Sequence, residues 1–169
     1  VYWLKSPITS GGVTYPAGTF YVAAGSAAKP VIEKAASELG VSFHGTTSHA
    51  GADATKLRPE RLALWDTYGG SMPSGQIRWM LEQFEFPYKL VYPQDIDAGR
   101  LQGKYDVLIL PSGALRANDE SMRGRLAARD KDIPKEYQYM TGRLSAEKSA
   151  PQLKRFMEQG GTVLTIGGS

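Results

Sequence analysis

The chain has 169 residues, 41% of them hydrophobic and 22% charged, which is enough for one compact domain with an appendage. Its formal charge of +3 is too small to indicate a nucleic-acid-binding surface. Without cysteine, this segment has no disulfide, no thiolate zinc ligand and no cysteine nucleophile. No apolar run approaches the ~20 residues needed to span a bilayer. We therefore expect neither nucleic acid nor a membrane span among its associations.

The first 56 residues predict a small β/α appendage with a linker. Residues 1–4 are apolar, and residues 13–22 carry β-branched and aromatic side chains around a turn at residues 16–18, which is typical of a small antiparallel element.

A helix is predicted next, since Ser26 can cap it, Pro30 falls in its first turn and Gly40 is a natural end. Residues 41–43 are predicted as a further short strand. Residues 44–56 are rich in Gly, Ala, Thr and Ser, so we interpret them as a linker.

From residue 57 onward, apolar runs alternate with helical patterns. Strands are predicted at residues 62–66, 89–92, 106–110 and 162–166. One helix is predicted at residues 73–86, and a second is predicted to be capped by Ser149 and to end at Gly160. Because such strands connect by right-handed crossovers, residues 57–169 predict a mainly parallel sheet flanked by helices, in the flavodoxin-like order 2-1-3-4. Residues 114–144 are too long and irregular for a plain connection and indicate an insertion or lid.

The carboxyl ends of the predicted parallel strands share one edge, where open α/β sheets usually bind ligands. The residues expected there are Asp66, Tyr68, Gly69, Gly70, Ser71, Ser112, Gly113, Gly167 and Gly168. Glycines and a helix N-terminus could hold a phosphate or a flavin, but glycines also simply make tight turns. As catalytic candidates, Asp66 would be the acid or base, and Ser71 with the helix N-terminus would hold an anion.

Two other chemistries have weaker support. Gly69 to Pro73 lies where a serine-hydrolase elbow would, but Pro73 replaces the final glycine of G-x-S-x-G, so Ser71 is better interpreted as a helix cap. His44, His49 and Asp53 lack the spacing of a zinc motif, and no metal site is predicted.

Aromatic and basic residues receive ordinary interpretations. The aromatic residues near the helix predicted at residues 73–86 are expected in the core, with an interdomain face as the alternative: Trp65, Trp79, Phe84, Phe86 and Tyr88. Four arginines alternate with acidic residues across residues 116–132, which is typical of a solvated segment and not of a nucleic-acid patch.

Three segments resemble a known family: LALWDTYGGSMPSG at residues 62–75, RWMLEQFEFP at residues 78–87 and YDVLIL at residues 105–110. Together they resemble the C-terminal region of large bacterial secreted zinc carboxypeptidases of the carboxypeptidase A type. YPAGTFY at residues 15–21 is similar to the stretch that precedes that region.

The resemblance implies a class I glutamine amidotransferase-like domain that follows an N-terminal peptidase domain. GTVLTIGG at residues 161–168 is similar to the amidotransferase strand and elbow, whose nucleophile is a cysteine, and Gly167 holds the matching position. Glycine has no side chain to attack a carbonyl, so covalent amidotransferase chemistry is not expected. The zinc ligands of the peptidase domain have no counterpart here, so zinc would belong to the parent protein and no cofactor is expected in this fragment.

These implications define the expected function. The chain would be a non-catalytic accessory domain of a secreted or periplasmic zinc carboxypeptidase-like protein, active in packing, oligomerisation or recognition of a peptide or glycan. Its partner would be the parent's N-terminal peptidase domain. The alternative is a small-ligand-binding or hydrolytic site around Asp66, Ser71 and Ser112. Because the sequence begins at Val1 and stops after a strand, we expect it to be part of a longer protein.

Overall fold

The computed structural model describes residues 1–25, 27–47, 53–115 and 132–167. The chain divides into two compact units, Val1–Pro59 and Glu60–Ser169. This division falls just after the boundary predicted at residues 56–57.

The first unit contains two small antiparallel sheets. Its strands are β1 (Tyr2–Leu4), β2 (Ile8–Ser10), β3 (Val13–Tyr15), β4 (Phe20–Tyr21) and β5 (Ala54–Lys56). One sheet has the order β4-β1-β5, and the other is the hairpin β2-β3. Gly11 and Gly12 connect the hairpin with φ of +58° and +79°, which suits the two-residue turns that match strand twist.

The predicted small antiparallel element is confirmed, as two sheets, but several details expected of this unit are wrong. The strands on either side of residues 16–18 do not pair with each other, because β3 pairs with β2 and β4 pairs with β1. Residues 41–43 form no strand, and the predicted linker contains β5, which pairs with β1. Pairing partners so far apart along the chain leave no local pattern in the sequence.

The helix of the first unit is α1 (Ala28–Leu39), and it ends as predicted. Gly40 adopts a left-handed conformation, and its N–H donates to the carbonyl of Ala36 at 3.1 Å. The predicted cap, Ser26, lies outside the described residues, and Ala27 holds the N-cap position without a side-chain bond. None of the α1 residues is fully buried, and Ile32, Ala35 and Ala36 form its half-buried side.

The second unit is an α/β structure built on one four-stranded sheet. Its strands are β6 (Leu62–Trp65), β7 (Tyr88–Val91), β8 (Val107–Leu110) and β9 (Thr162–Thr165). All neighbours are parallel, and the order is β7-β6-β8-β9. The predicted parallel sheet and its order 2-1-3-4 are therefore confirmed.

Helices flank this sheet: α2 (Met72–Gln83), α3 (Pro93–Asp97), a 3-10 helix (Lys135–Met140) and α4 (Ser149–Glu158). The start of α2 is as predicted, since the Ser71 hydroxyl accepts a hydrogen bond from the Ser74 N–H at 3.2 Å and Pro73 lies in the first turn. The short α3 and the 3-10 helix were not predicted, because so few residues show no clear periodicity.

The role predicted for Ser149 is wrong. Ser149 does not cap α4 but is its first residue, and it is fully buried. Its hydroxyl donates to the Asp97 carboxylate at 2.6 Å and accepts from the Ser145 N–H at 2.9 Å. This serine therefore joins the start of α4 to the end of α3.

The predicted insertion at residues 114–144 lies only partly within the described residues. Residues 116–131, which hold the arginine-rich segment, lie outside them. In the remainder, Ile133 and Leu144 are buried, so this part packs on the domain.

The sheet has two unequal apolar faces. The first face, with α3 and α4, belongs to this buried cluster: Ala63, Trp65, Val91, Ile96, Leu101, Leu108, Leu110, Ala114, Leu144, Leu153 and Phe156. The second face, with α2, belongs to a smaller one: Leu64, Ile77, Leu81 and Ile109. On the second face, Leu164 of β9 is 47% exposed.

At the amino-terminal edge of the sheet, Arg61 forms a cluster of hydrogen bonds, which we call the Arg61 cluster. The Arg61 guanidinium donates to both carboxylate oxygens of Asp106, at 2.9 and 2.8 Å, and its backbone N–H donates to the same carboxylate at 2.9 Å. Further bonds reach the carbonyl oxygens of Gln102 and Gly103 at 3.2 and 2.8 Å. The hydrogen bond to Asp106 raises the pKa of Arg61 above its ordinary value. No sequence pattern had indicated this cluster.

Candidate functional site

Asp66 lies at the carboxyl end of β6 and is almost completely buried, with 3% of its surface exposed. Its Oδ1 atom accepts hydrogen bonds from the backbone N–H groups of Thr67 and Ser71, both at 2.9 Å. Both bonds that this carboxylate makes within the described residues fall on Oδ1, so Oδ2 keeps its acceptor capacity. Asp66 thus holds the turn that leads into α2.

The glycine pair makes that turn possible. Gly69 and Gly70 have φ of +79° and +76°, a region that other residues rarely adopt, and the Gly70 N–H donates to the carbonyl of Thr67 at 2.8 Å. Ser74, buried in the first turn of α2, donates to the carbonyl of Trp65 at 3.0 Å. The geometry of this turn is therefore enough to explain why glycines occupy positions 69 and 70.

Beside this edge, the predicted Tyr68 is joined by three tyrosines that the sequence did not single out: Tyr92, Tyr137 and Tyr139. The rings of Tyr68 and Tyr137 are 5.9 Å apart, and those of Tyr92 and Tyr139 are 5.6 Å apart and nearly perpendicular. The Tyr68 N–H also donates to the carbonyl of Met140 at 3.1 Å. The 3-10 helix therefore packs against the ends of β6 and β7.

The environment of Tyr92 favours its neutral form. Burial raises the pKa of Tyr92 above its usual range, and the nearby Tyr139 and Asp66 raise it further. Tyr92 is therefore a neutral phenol near pH 7.

Ser112, Gly113 and Gly167 follow the two neighbouring strands β8 and β9. Gly167 has a φ of +77°, and a Cβ atom there would lie 3.1 Å from the Cβ of Ser112. Gly113 also has a positive φ, of +87°, and Gly168 lies outside the described residues. The structure thus joins Asp66 with Ser71, and Ser112 with Gly167.

The core placement predicted for three aromatic residues is wrong. Trp79, Phe84 and Phe86 are 65%, 72% and 57% exposed, whereas Trp65 is buried and Tyr88 half-buried. α2 turns Ile77 and Leu81 toward the sheet, so the apolar residues at other positions along it point outward.

Exposed apolar side chains lie together along one open groove of α2, a surface that we call the α2 outer surface: Met72, Trp79 and Met80. Phe84 and Phe86 follow α2 and are also exposed, but they do not line this groove. An open apolar groove of about 600 Å³ lies on it, lined by Met72, Gly75, Gln76, Trp79 and Met80. Contiguous apolar surface of this kind marks a protein–protein, membrane or ligand contact in soluble proteins.

Another side of α2 carries polar residues that form hydrogen bonds with β7. The Tyr88 hydroxyl donates to Glu82 at 2.5 Å and accepts from the Arg78 guanidinium at 3.3 Å. Burial raises the pKa of Tyr88, and its hydrogen bond to Glu82 raises it further. These contacts hold α2 to β7 and leave the α2 outer surface in a defined orientation.

The histidine region shows no assembled metal site in the described ranges. The His44 ring lies 6.1 Å from that of Tyr15, while Asp53 accepts a hydrogen bond from the Ser6 hydroxyl at 2.7 Å. His49 lies outside the described residues. Within those ranges no three His, Asp or Glu side chains are grouped as metal ligands.

No described helix has the length and apolarity to cross a bilayer.

We find no family model, no curated protein and no solved structure that matches this chain. The resemblance to the C-terminal region of secreted zinc carboxypeptidases stays a prediction, as do the peptidase partner and the secreted or periplasmic location.

Proposed function

We propose that the second unit is a non-catalytic accessory domain of a secreted zinc carboxypeptidase-like protein, with a flavodoxin-like fold of the class I glutamine amidotransferase type. The zinc and the peptide-bond chemistry would belong to the parent's N-terminal peptidase domain. This unit would supply a surface for packing against that domain or for recognising a peptide or glycan.

The α2 outer surface carries the proposal. A helix that packs only on its own sheet exposes polar residues on its outer side, whereas α2 exposes Met72, Trp79 and Met80. Aromatic side chains of this size are the residues that dominate binding energy at protein interfaces. A domain whose task is contact with another molecule accounts for them directly.

Two further observations support a non-catalytic role. Gly167, at the position that resembles the amidotransferase elbow, offers no nucleophile, and Ser112 leaves little space for a side chain there. Asp66, the candidate acid or base, holds the turn before α2 through two backbone bonds. The strand order 2-1-3-4 supports the flavodoxin-like assignment.

The first experiment compares the parent protein with and without residues 60–169 in a zinc-dependent carboxypeptidase assay. We expect the truncated parent to retain its turnover number on a small peptide and this unit alone to show none. Turnover by the isolated unit would contradict the proposal. Loss of turnover, with the peptidase domain shown to be folded by circular dichroism, would contradict a purely accessory role.

A second experiment tests the surface itself. The double substitution Trp79→Ser and Met80→Ser should weaken association between this unit and the parent's peptidase domain, or a peptide or glycan, by at least about tenfold. Met157→Ser on α4 is the matched control, because Met157 is also about half exposed but lies on the other face of the sheet. Equal binding by all variants would remove the α2 outer surface from the proposal.

One observation favours the alternative of a small-ligand site. Asp66 is buried, its bonds to other described residues all fall on Oδ1, and the half-buried Tyr92 lies close enough to sense its charge. Under this alternative, Asp66→Asn should abolish ligand binding or turnover, because the amide cannot act as an acid or base. Under the accessory role it should lower stability alone, by about 1–2 kcal/mol for the weakened bonds to the turn. Measuring both quantities in one variant separates the two functions.

A further inference from the structure

A second pocket, away from the α2 outer surface, lies between α4 and the loop after α3. It has a volume of about 130 Å³ and is lined by Arg100, Leu101, Gln152, Arg155, Phe156 and Gln159. Its polar lining residues are two arginines and two glutamines. The other two residues are apolar, and Leu101 and Phe156 are both buried in the first-face cluster.

Both arginines of this pocket are exposed and lack an acidic partner among the described residues. No carboxylate lines it, and neither Arg100 nor Arg155 forms an ion pair within the part of the chain that the structure describes. By contrast, Arg61 on the same unit is bound to Asp106. The C-terminus of α4, where Arg155 lies, carries a partial negative charge of about half a unit. Two arginine charges along one concavity exceed it, so the local potential favours an anion.

The backbone that presents Arg100 is unusual. Arg100 has a φ of +55° and follows Gly99, whose φ is +70°. A non-glycine residue in this region is uncommon, and such conformations concentrate at functional sites where the surrounding structure holds them. Gly99 also leaves space for Gln152, since a Cβ atom at position 99 would lie 2.5 Å from the Gln152 Oε1 atom. The Gly99–Arg100 pair thus sets both Arg100 and Gln152 at the pocket.

We propose that this pocket binds a doubly charged oxyanion, namely a phosphate group. Arginine presents paired N–H donors that match phosphate oxygens, and the two charges of Arg100 and Arg155 balance a dianion. The carboxamide N–H groups of Gln152 and Gln159 can donate to the remaining oxygens. The volume suits one phosphate group and is well below the 300–1,000 Å³ of drug-sized ligand sites, so a whole nucleotide does not fit.

The proposal goes beyond the accessory function and does not depend on it. The phosphate could be the free ion or the head of a phosphorylated molecule, whose attached group would extend out of the pocket. The two sources share one chemistry and differ in whether an attached group adds affinity.

The test titrates inorganic phosphate into the 169-residue chain at about 0.15 M ionic strength, followed by NMR of the backbone amides. We expect saturable shifts confined to the region of Arg100, Leu101 and Gln152. Phosphoserine replaces phosphate in a second titration. Tighter binding of phosphoserine identifies a phosphorylated molecule as the ligand, and equal or weaker binding identifies the free ion, while either result supports the site.

The variants separate loss of binding from loss of folding. Arg100→Gly removes one guanidinium, but glycine adopts the left-handed conformation freely, so the melting temperature should stay equal or rise while affinity falls about tenfold. Arg155→Gln should weaken binding by a similar factor. Lys154→Gln is the matched control, because it removes the same charge from the same helix outside the pocket and should leave the affinity within about twofold.

Three results would overturn the proposal. The first is no saturable shift up to tens of millimolar phosphate. The second is an effect of Lys154→Gln as large as that of Arg155→Gln, which would mean that only net charge matters. The third is equal affinity for acetate, which would exclude selection of a dianion.

Discussion

The two faces of the parallel sheet share the same four strands, yet they are packed to different extents. The first face belongs to a cluster of eleven buried residues, whereas the cluster on the second face has four. In β9, Val163 packs on the first face, while its neighbour Leu164 is nearly half exposed on the second. The stability of this unit should therefore reside mainly in the first face, which leaves α2 on the second face free to present its outer surface.

The largest effect should come from the centre of the first face. Phe156 on α4 is 1% exposed, so Phe156→Ala should lower the free energy of unfolding by about 3–5 kcal/mol, through lost burial and the cavity that remains. Urea denaturation, followed by the signals of the second unit, measures this change. A loss below about 1 kcal/mol would mean that the first-face cluster does not hold the unit together.

A smaller effect is expected on the second face. Leu81 is 7% exposed beneath α2, and Leu81→Ala should cost about 2–3 kcal/mol, toward the low end for a leucine because fewer buried residues surround it. Met80→Ala, at the exposed neighbouring position, is the control and should change stability by no more than about 0.5 kcal/mol. A Leu81→Ala effect equal to that of Phe156→Ala would abolish the difference between the faces.

The smallest effects compare the two faces within one strand. Val163→Ala should cost about 1 kcal/mol, since Val163 is partly buried against the first-face cluster. Leu164→Ala removes more atoms but should cost less than about 0.5 kcal/mol, because Leu164 is 47% exposed. Thermal unfolding of the two variants side by side decides the order, and the reverse order would show that the second face is covered in solution.

Much of the second unit could be predicted from the sequence. The strands are continuous apolar runs with helical patterns between them, which fixes a parallel sheet and restricts its order. The start of α2 was predicted correctly because Ser71 and Pro73 are local signals. In the first unit, β5 was missed because its partner is β1, some fifty positions earlier in the chain.

The packing of α2 could not be predicted, because its apolar residues occupy more than one side of the helix. Ile77 and Leu81 are buried, and Trp79 and Met80 between them are exposed. Spacing alone shows which residues share a side but does not show which side meets the sheet. Large aromatic residues are usually buried, so that expectation failed where the protein exposes them.

The candidate sites were predicted in part. Parallel topology places Asp66 and Ser71 at one sheet edge, and the structure adds the hydrogen bond between them. Tyr139 lies in a segment without periodicity, so its position beside Tyr92 appears only in the folded chain. The left-handed backbone conformation of Arg100 could not be predicted from the sequence, because glycine is the residue that usually indicates it.

The Arg61 cluster matters for the unequal faces of the sheet. Sliding one strand by a single position past its neighbour would turn all its side chains to the opposite face. For β6, that slip would turn Trp65 away from the eleven-residue cluster and toward the four-residue one. Arg61 immediately precedes β6, and Asp106 immediately precedes β8. The Arg61 guanidinium donates hydrogen bonds to the Asp106 carboxylate and to carbonyl groups of the loop before it. This contact fixes the register of β6 against β8, two strands of similar composition. The large side chains therefore pack on the face that has room for them.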